Sequence, residues 1–120
     1  MSNAKFKYQY RDGANYKRFG EVVFSNDDGL SAAVLRKELG EAFLEDGLFI
    51  AHQVRIPEVF FATDGPLTSD DHCFHEFEGV EDTCDAPSDG YGRSVREFVT
   101  EVAREANRGW NTFNPQDRFL

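Results

Sequence analysis

The chain has 120 residues, a net charge of −9 and a hydrophobic fraction of 40%, with 12 Phe. This length and composition are typical of one folded domain over residues 1–120 and exclude a disordered chain. The two cysteines are too few for a disulfide framework, no apolar run could span a bilayer, and the N-terminus lacks a secretion signal, so we expect a cytoplasmic protein with free thiols.

The N-terminal part of the chain predicts a β-hairpin. Residues 5–10 (KFKYQY) alternate polar with aromatic side chains, which is typical of a strand with one buried face. After a turn that contains Asp-Gly, residues 17–25 (KRFGEVVFS) are rich in β-branched and aromatic residues. The short connection indicates antiparallel pairing, and Gly20 indicates a bulge or a close approach to the backbone.

A helix and two further strands are predicted next. Residues 31–46 carry apolar side chains at helical spacing, and Gly47 is a favourable residue after a helix end. Residues 48–54 (LFIAHQV) predict a strand that is buried in its first half, and residues 56–61 (IPEVFF) predict another short strand.

Residues 94–110 show the clearest helical pattern in the chain. Ser94 and Glu97 form a capping box, and apolar residues then recur at helical spacing. The order β-β-α-β-(β)-β-α predicts an α+β two-layer sandwich. Its mainly antiparallel sheet would have four or five strands, with both helices on one face.

The stretch 69–85 (SDDHCFHEFEGVEDTCD) concentrates histidines, cysteines and carboxylates. We favour a strand over residues 71–82, because Phe and Val are frequent there and no clean helical stripe is present. A strand would direct His72 and His75 to opposite faces. The residues of its buried face would be Cys73, His75, Phe77 and Gly79.

A helix over residues 69–78 is the alternative, and it would create a metal site. The ligands would be His72, His75 and Glu76, with Asp71 or His52 as an additional ligand. This set suits zinc or manganese. A His-x-x-His spacing alone is a weak indication of a metal, so we expect no cofactor.

The sequence indicates no catalytic residue. A nucleophilic Cys73 would need a basic neighbour, whereas its surroundings are acidic. Phosphate-binding loops and the hydrolase motif G-x-S-x-G are absent from the sequence. We therefore expect a protein that is not an enzyme.

The distribution of charge suggests a binding function. Residues 56–92 contain ten acids and no Lys or Arg. Such a segment repels nucleic acid and acidic membranes and attracts basic proteins, as in small inhibitors, immunity proteins or adaptors. The carboxylates of this predicted acidic face are Asp70, Asp71, Glu76, Glu78, Glu81, Asp82, Asp85 and Asp89. Our leading hypothesis is a binding module for a basic partner.

A third hypothesis is a structural subunit or homodimer that packs through a Phe-rich sheet. An exposed aromatic patch would mark that interface, and its residues would be Phe60, Phe61 and Phe74.

Three segments carry a resemblance: DDHCFHEFEGVEDT, YQYRDGANYKRFGEVVF and FIAHQVRIPEVFF. With them the chain resembles a group of small bacterial proteins of unassigned function. The resemblance covers most of the chain and implies a single bacterial cytoplasmic domain. It implies no activity, cofactor or catalytic residue.

Overall fold

The structure is a computed structural model that describes residues 2–11, 17–59 and 72–115. The strands are β1 (Asn3–Arg11), β2 (Lys17–Phe24), β3 (Leu48–Phe49) and β4 (His75–Thr83), and the helices are α1 (Ala32–Ala42) and α2 (Val95–Arg108). The strands form one antiparallel sheet in the order β2-β1-β4-β3. The predicted α+β fold with an antiparallel sheet is confirmed.

The predicted hairpin is present, and its register is continuous along β1 and β2. Phe6, Tyr8 and Tyr10 point to the same side of β1, and each is at most 1% exposed. Gly20 lies opposite Tyr8, whose ring covers the glycine so closely that a Cβ atom there would lie 2.6 Å from Tyr8 Cζ. Gly20 therefore marks a close approach, one of the two alternatives predicted for it, and not a bulge.

Both helices pack on the face of the sheet that carries these aromatic rings. The Phe6 ring centroid lies 5.1 Å from that of Phe98 in α2 and 6.2 Å from that of Phe43, which follows α1. The predicted capping box begins α2, since Ser94 Oγ accepts from Glu97 N at 3.1 Å and Glu97 Oε1 accepts from Ser94 N at 3.0 Å. None of the described helices is long and apolar enough to cross a membrane.

A bulge in β4 changes which residues face the helices. The paired residues on its two sides are Lys7↔Gly79 and Tyr8↔Phe77. Glu78 is thus an extra residue that opposes none on β1. The prediction that Gly79 faces the core is wrong for this reason, because the bulge turns the following residue, Val80, inward, where it is 3% exposed.

The segment between the helices differs from its prediction. Helix α1 ends at Ala42 rather than near residue 46, since Phe43 leaves the helix and packs its ring 4.7 Å from that of Phe49. The strand predicted over 48–54 ends after β3 and continues as a 3₁₀ turn, Ala51–Val54.

The next predicted strand, 56–61, is absent over residues 56–59, and its last two residues lie outside the described ranges. Arg55, just before it, has φ 58°, which turns the chain away from an extended path. The strand reading of the histidine-rich stretch is confirmed from residue 75 onward, residues 72–74 are not helical, and residues 69–71 are not described.

Candidate functional site

The outer face of the sheet, opposite the helices, carries side chains of both charges. Alternation along β1 places its basic residues on this face, each beside a carboxylate. The closest pairs are Lys5 Nζ–Asp85 Oδ2 at 3.0 Å, Arg11 Nη2–Glu76 Oε2 at 3.4 Å and Lys7 Nζ–Glu81 Oε2 at 3.9 Å. The hydrogen bond from Lys5 lowers the pKa of Asp85 below its ordinary value. Three predicted partner-binding carboxylates are therefore paired within the chain.

Two other predicted carboxylates, Asp82 and Asp89, do not lie on the outer face with these three. Asp82 lies opposite Ala4, whose side chain is buried on the helix side, and it lines a hollow there with Asn26. Asp89 is held in a buried ion pair. Asp70 and Asp71 lie outside the described residues. The predicted acidic face is thus divided between two sides of the sheet and the interior.

Asp89 belongs to a buried network centred on Arg93, which is 6% exposed. All five N–H groups of the Arg93 guanidinium donate to protein acceptors. Nε and Nη2 bind the two oxygens of Asp89 at 2.9 and 3.0 Å. Nη1 binds Glu101 Oε2 at 2.6 Å and Val54 O at 2.8 Å, and Nη2 also binds Arg55 O at 2.8 Å.

The network continues to the surface through Arg55. Its Nε donates to Glu101 Oε2 at 3.1 Å, its Nη2 donates to Glu101 Oε1, and its guanidinium lies 4.6 Å from the Tyr91 ring centroid. Burial acts to raise the pKa of Asp89, but hydrogen bonds from Arg93 outweigh it and lower that pKa. Because every donor of Arg93 is used, the network is a structural joint rather than an anion site.

This network could not be predicted from the sequence, since its members have no recognisable spacing. Arg93 and Asp89 are four residues apart, but they lie before α2 begins, and Val54 and Arg55 contribute only backbone carbonyl oxygens to Arg93. The available signal was the position of Arg93 just before an N-cap, which does not predict burial.

Glu78, at the bulge, has no cation within 4.0 Å among the residues the structure describes. It lines a hollow of about 350 Å³ on the outer face, together with Phe19 and Glu21. The other lining residues are Lys7, Tyr8 and Gly20. Phe19 is 66% exposed, more than any other large hydrophobic residue in the described ranges. We call this feature the outer hollow.

The residues of the outer hollow are suited to binding a Lys or Arg side chain, which carries its charge at the end of an apolar chain. An aromatic face attracts Lys or Arg, and the methylene groups of those side chains can lie along the ring. The carboxylates of Glu21 and Glu78 supply charge-assisted acceptors beside it. Glu78 is among the partner-binding residues predicted from the sequence, whereas Glu21 and Phe19 are not.

The two histidines near the start of β4 are engaged by the backbone. His72 Nδ1 accepts from Phe74 N at 3.1 Å, so Nε2 carries the proton and donates to Arg11 O at 2.7 Å. His75 is 0% exposed, and its Nε2 accepts from Val59 N at 2.9 Å. Burial lowers the pKa of His75 to about 3, which keeps the ring neutral.

The proposed metal ligands do not converge in the described part of the chain. Glu76 Oε2 accepts from Gln9 Nε2 at 2.7 Å, in addition to its contact with Arg11, and His52 Nδ1 lies 3.5 Å from Glu58 Oε2. Residues 2–11, 17–59 and 72–115 contain no group of three or more His, Cys, Asp or Glu arranged to hold a metal ion. Asp71 is not described.

The other candidates from the sequence are two cysteines and three phenylalanines. Cys73 is buried, Cys84 is exposed, and both are free thiols. Phe74 is half-buried, while Phe60 and Phe61 lie outside the described residues.

In comparisons with protein-family models, curated proteins and solved structures, nothing matches this chain. The resemblance to small bacterial proteins therefore stays an expectation.

Proposed function

We propose that the protein is a non-enzymatic binding module that engages a basic partner protein through the outer hollow. The observation that supports this proposal is the combination of an exposed Phe19 with the carboxylates of Glu21 and Glu78. A partner Lys or Arg would stack its stem on the ring and bring its charge to the two carboxylates. The proposed partner is a basic protein, as the sequence predicts, but the proposed contact surface is the outer hollow and not the whole acidic stretch.

Both carboxylates are available to a partner. Lys7 lines the same hollow, but within 4.0 Å Glu78 has no cation in the described residues and Glu21 has one, Lys5 at 3.9 Å. Lys5 itself lies closer to Asp85, at 3.0 Å. Replacing the weak contact of Glu21 with a partner cation would therefore leave Lys5 neutralised.

The paired charges around the outer hollow have a different effect. The contact of Lys7 with Glu81 and that of Arg11 with Glu76 balance most of the outer face, so a basic surface is not attracted equally everywhere. The net charge of −9 would still accelerate the approach of a basic protein, and salt would weaken that effect. The net charge of the whole molecule would thus attract the basic partner, and the outer hollow would determine where that partner binds.

The experiment is a titration of isotope-labelled protein with a short Lys- and Arg-rich peptide, followed by NMR at low and high salt. We expect the largest shifts at Phe19, Glu21 and Glu78, and loss of binding in Glu78→Lys and Phe19→Ser. Glu38→Lys, which makes the same charge change on α1, is the matched control and should bind normally. Equal weakening by Glu78→Lys and Glu38→Lys, with shifts spread over all acids, would contradict the proposal.

The same variants can then be compared in capture from the native cell. A basic protein retained by the wild type and by Glu38→Lys, but lost with Glu78→Lys, would be the partner.

A further inference from the structure

We infer that β2 pairs with β2 of a second copy of the chain, in an antiparallel dimer whose two-fold axis passes between the two Phe19 residues. This inference goes beyond the proposed function and does not depend on it; in the dimer Glu21 would face Lys17 of the second copy, so Glu78 would be the carboxylate left for a basic partner protein. It rests on the direction of the backbone groups of β2, on the part of its edge that is open and on the charges along it.

The backbone direction follows from one residue. Val23 N donates to Ser88 Oγ at 2.9 Å, and Val23 O accepts from Ser88 N at 2.9 Å, so both groups point away from β1. In an antiparallel pair this direction alternates from residue to residue. The β1–β2 register has no irregularity, so Lys17, Phe19 and Glu21 direct their N–H and C=O groups outward as well.

The edge of β2 is covered at one end and open at the other. The segment around Ser88 closes the edge at Val23, and Val95 N closes it at Ser25 O, at 2.8 Å. Among the described residues, nothing outside β1 bonds the backbone of Phe19 or Glu21. Open edges present unpaired N–H and C=O groups that can accept another strand.

The charges along the open edge select one register. When Phe19 lies opposite Phe19 of the second copy, Lys17 lies opposite the partner's Glu21, and Glu21 lies opposite the partner's Lys17. Opposite charges facing each other across neighbouring strands are stabilising, and aromatic pairs are as well. Lys17 is exposed and Glu21 is 58% exposed, so both side chains can reach across.

Other two-fold registers are less favourable. Centring the pair on Arg18 or on Glu21 would place like charges opposite each other, which is destabilising. Centring it on Gly20 would place Lys17 opposite Val23 of the second copy, whose outward groups Ser88 already binds. The Phe19 register uses only open backbone groups, and it repeats the same contacts on both copies, as a closed two-fold interface requires.

This arrangement would join the two sheets side by side, with their outer faces turned to the same side. The first test is sedimentation over a wide concentration range. We expect a dimer for the wild type and a monomer for Phe19→Pro, which removes an N–H that points away from β1 and so leaves the β1–β2 bonds intact. Val34→Ser, at another exposed apolar residue, should remain dimeric. A wild type that is monomeric at every concentration would overturn the inference.

A charge exchange tests the pairing without relying on a disruptive variant. Lys17→Glu and Glu21→Lys should each weaken the dimer, because each places like charges opposite one another, whereas the double variant K17E/E21K should restore it. A double variant that is weaker than both single variants would contradict the register.

Disulfide trapping checks the register directly, in a Cys84→Ser background. Phe19→Cys should form a linked dimer, since opposite bonded residues have Cα atoms about 5.5 Å apart, within the range of a disulfide. Glu21→Cys should not link to itself, because its two copies would be displaced by roughly 13 Å along the strands. A mixture of Lys17→Cys and Glu21→Cys proteins should cross-link, and self-linking of Glu21→Cys would overturn the register.

Discussion

Arg93 Nη1 donates to Glu101 Oε2 at 2.6 Å, and this buried pair joins the loop before α2 to the middle of that helix. The same guanidinium also bonds the carbonyl oxygens of Val54 and Arg55. One side chain thus holds α2 and the end of the 3₁₀ turn together. Because all its donors are used, removing this side chain would leave the carbonyl oxygens of Val54 and Arg55 without this donor, and it would leave Asp89 with a backbone N–H but without its cation.

Replacing Arg93 should therefore be far more damaging than replacing an exposed arginine. We expect Arg93→Met to lower the free energy of unfolding by about 3–5 kcal/mol, the usual effect of breaking a buried ion pair. Arg96→Met is the matched control, since Arg96 binds Asp28 at the surface and should contribute less than about 1 kcal/mol. Urea unfolding near neutral pH measures both. Similar losses for the two variants would show that the network is not important for stability.

Two glycine substitutions should change the stability of the protein in opposite directions. Gly20→Ala would push against the Tyr8 ring, which is held by a 2.6 Å hydrogen bond from its hydroxyl to Pro57 O, and should lower stability by about 1–3 kcal/mol. Gly40→Ala, in the exposed middle of α1 with nothing within 4 Å of the new methyl group, should raise it by about 0.5–1 kcal/mol. Thermal melts of both variants provide the comparison. A stabilising Gly20→Ala would show that the ring moves aside at no cost.

His75 predicts a pH dependence of stability. Burial lowers its pKa to about 3 in the native protein, against about 6.5 in an unfolded chain. Between these values the unfolded chain binds a proton that the native protein does not. The free energy of unfolding should therefore fall as the pH decreases from about 6.5, by up to about 1.4 kcal/mol per pH unit.

The matched variant for this prediction is His75→Gln, which keeps an acceptor for Val59 N but cannot be protonated. Urea titrations between pH about 6.5 and about 4.5, above the range in which carboxylates titrate most strongly, should show a flatter dependence for this variant than for the wild type. Equal slopes would mean that another group causes the pH dependence.

The capping box of α2 should contribute measurably to stability. Ser94→Ala removes the acceptor for Glu97 N and should lower the free energy of unfolding by about 0.5–2 kcal/mol. Thr100→Ala, on an exposed turn of the same helix, lacks this role and serves as the control. If the two variants are equally stable, the box does not stabilise the helix.

Features that depend on neighbouring residues could be read from the sequence. The alternation around Phe6 and Tyr8 identified the buried face of β1, and Ser94 with Glu97 identified the start of α2, because both signals lie within a few residues. The close approach at Gly20 was also indicated, since glycine in a strand often permits one.

Features that depend on distant contacts could not be read. The end of α1 is set by Phe43 packing on Phe49, and the orientation of Val80 is set by a bulge that appears only when β4 pairs with β1. The outer hollow depends on a similar contact, because β1 lies between Glu78 on β4 and Glu21 on β2. Local composition showed that acids were abundant but not which of them β1 would neutralise.

The bulge at Glu78 also determines which residue of β4 could be deleted without disturbing the core. Deleting a single residue between the start of β4 and Val80, other than Glu78, would turn the side chains on one side of the deletion to the opposite face of the sheet. Deleting Glu78 would instead restore regular alternation, since Phe77 and Gly79 would then oppose consecutive residues of β1. β4 can therefore lose this one position and keep its pattern of buried residues. The carboxylate of Glu78 is free to vary with whatever the protein binds, independently of the core.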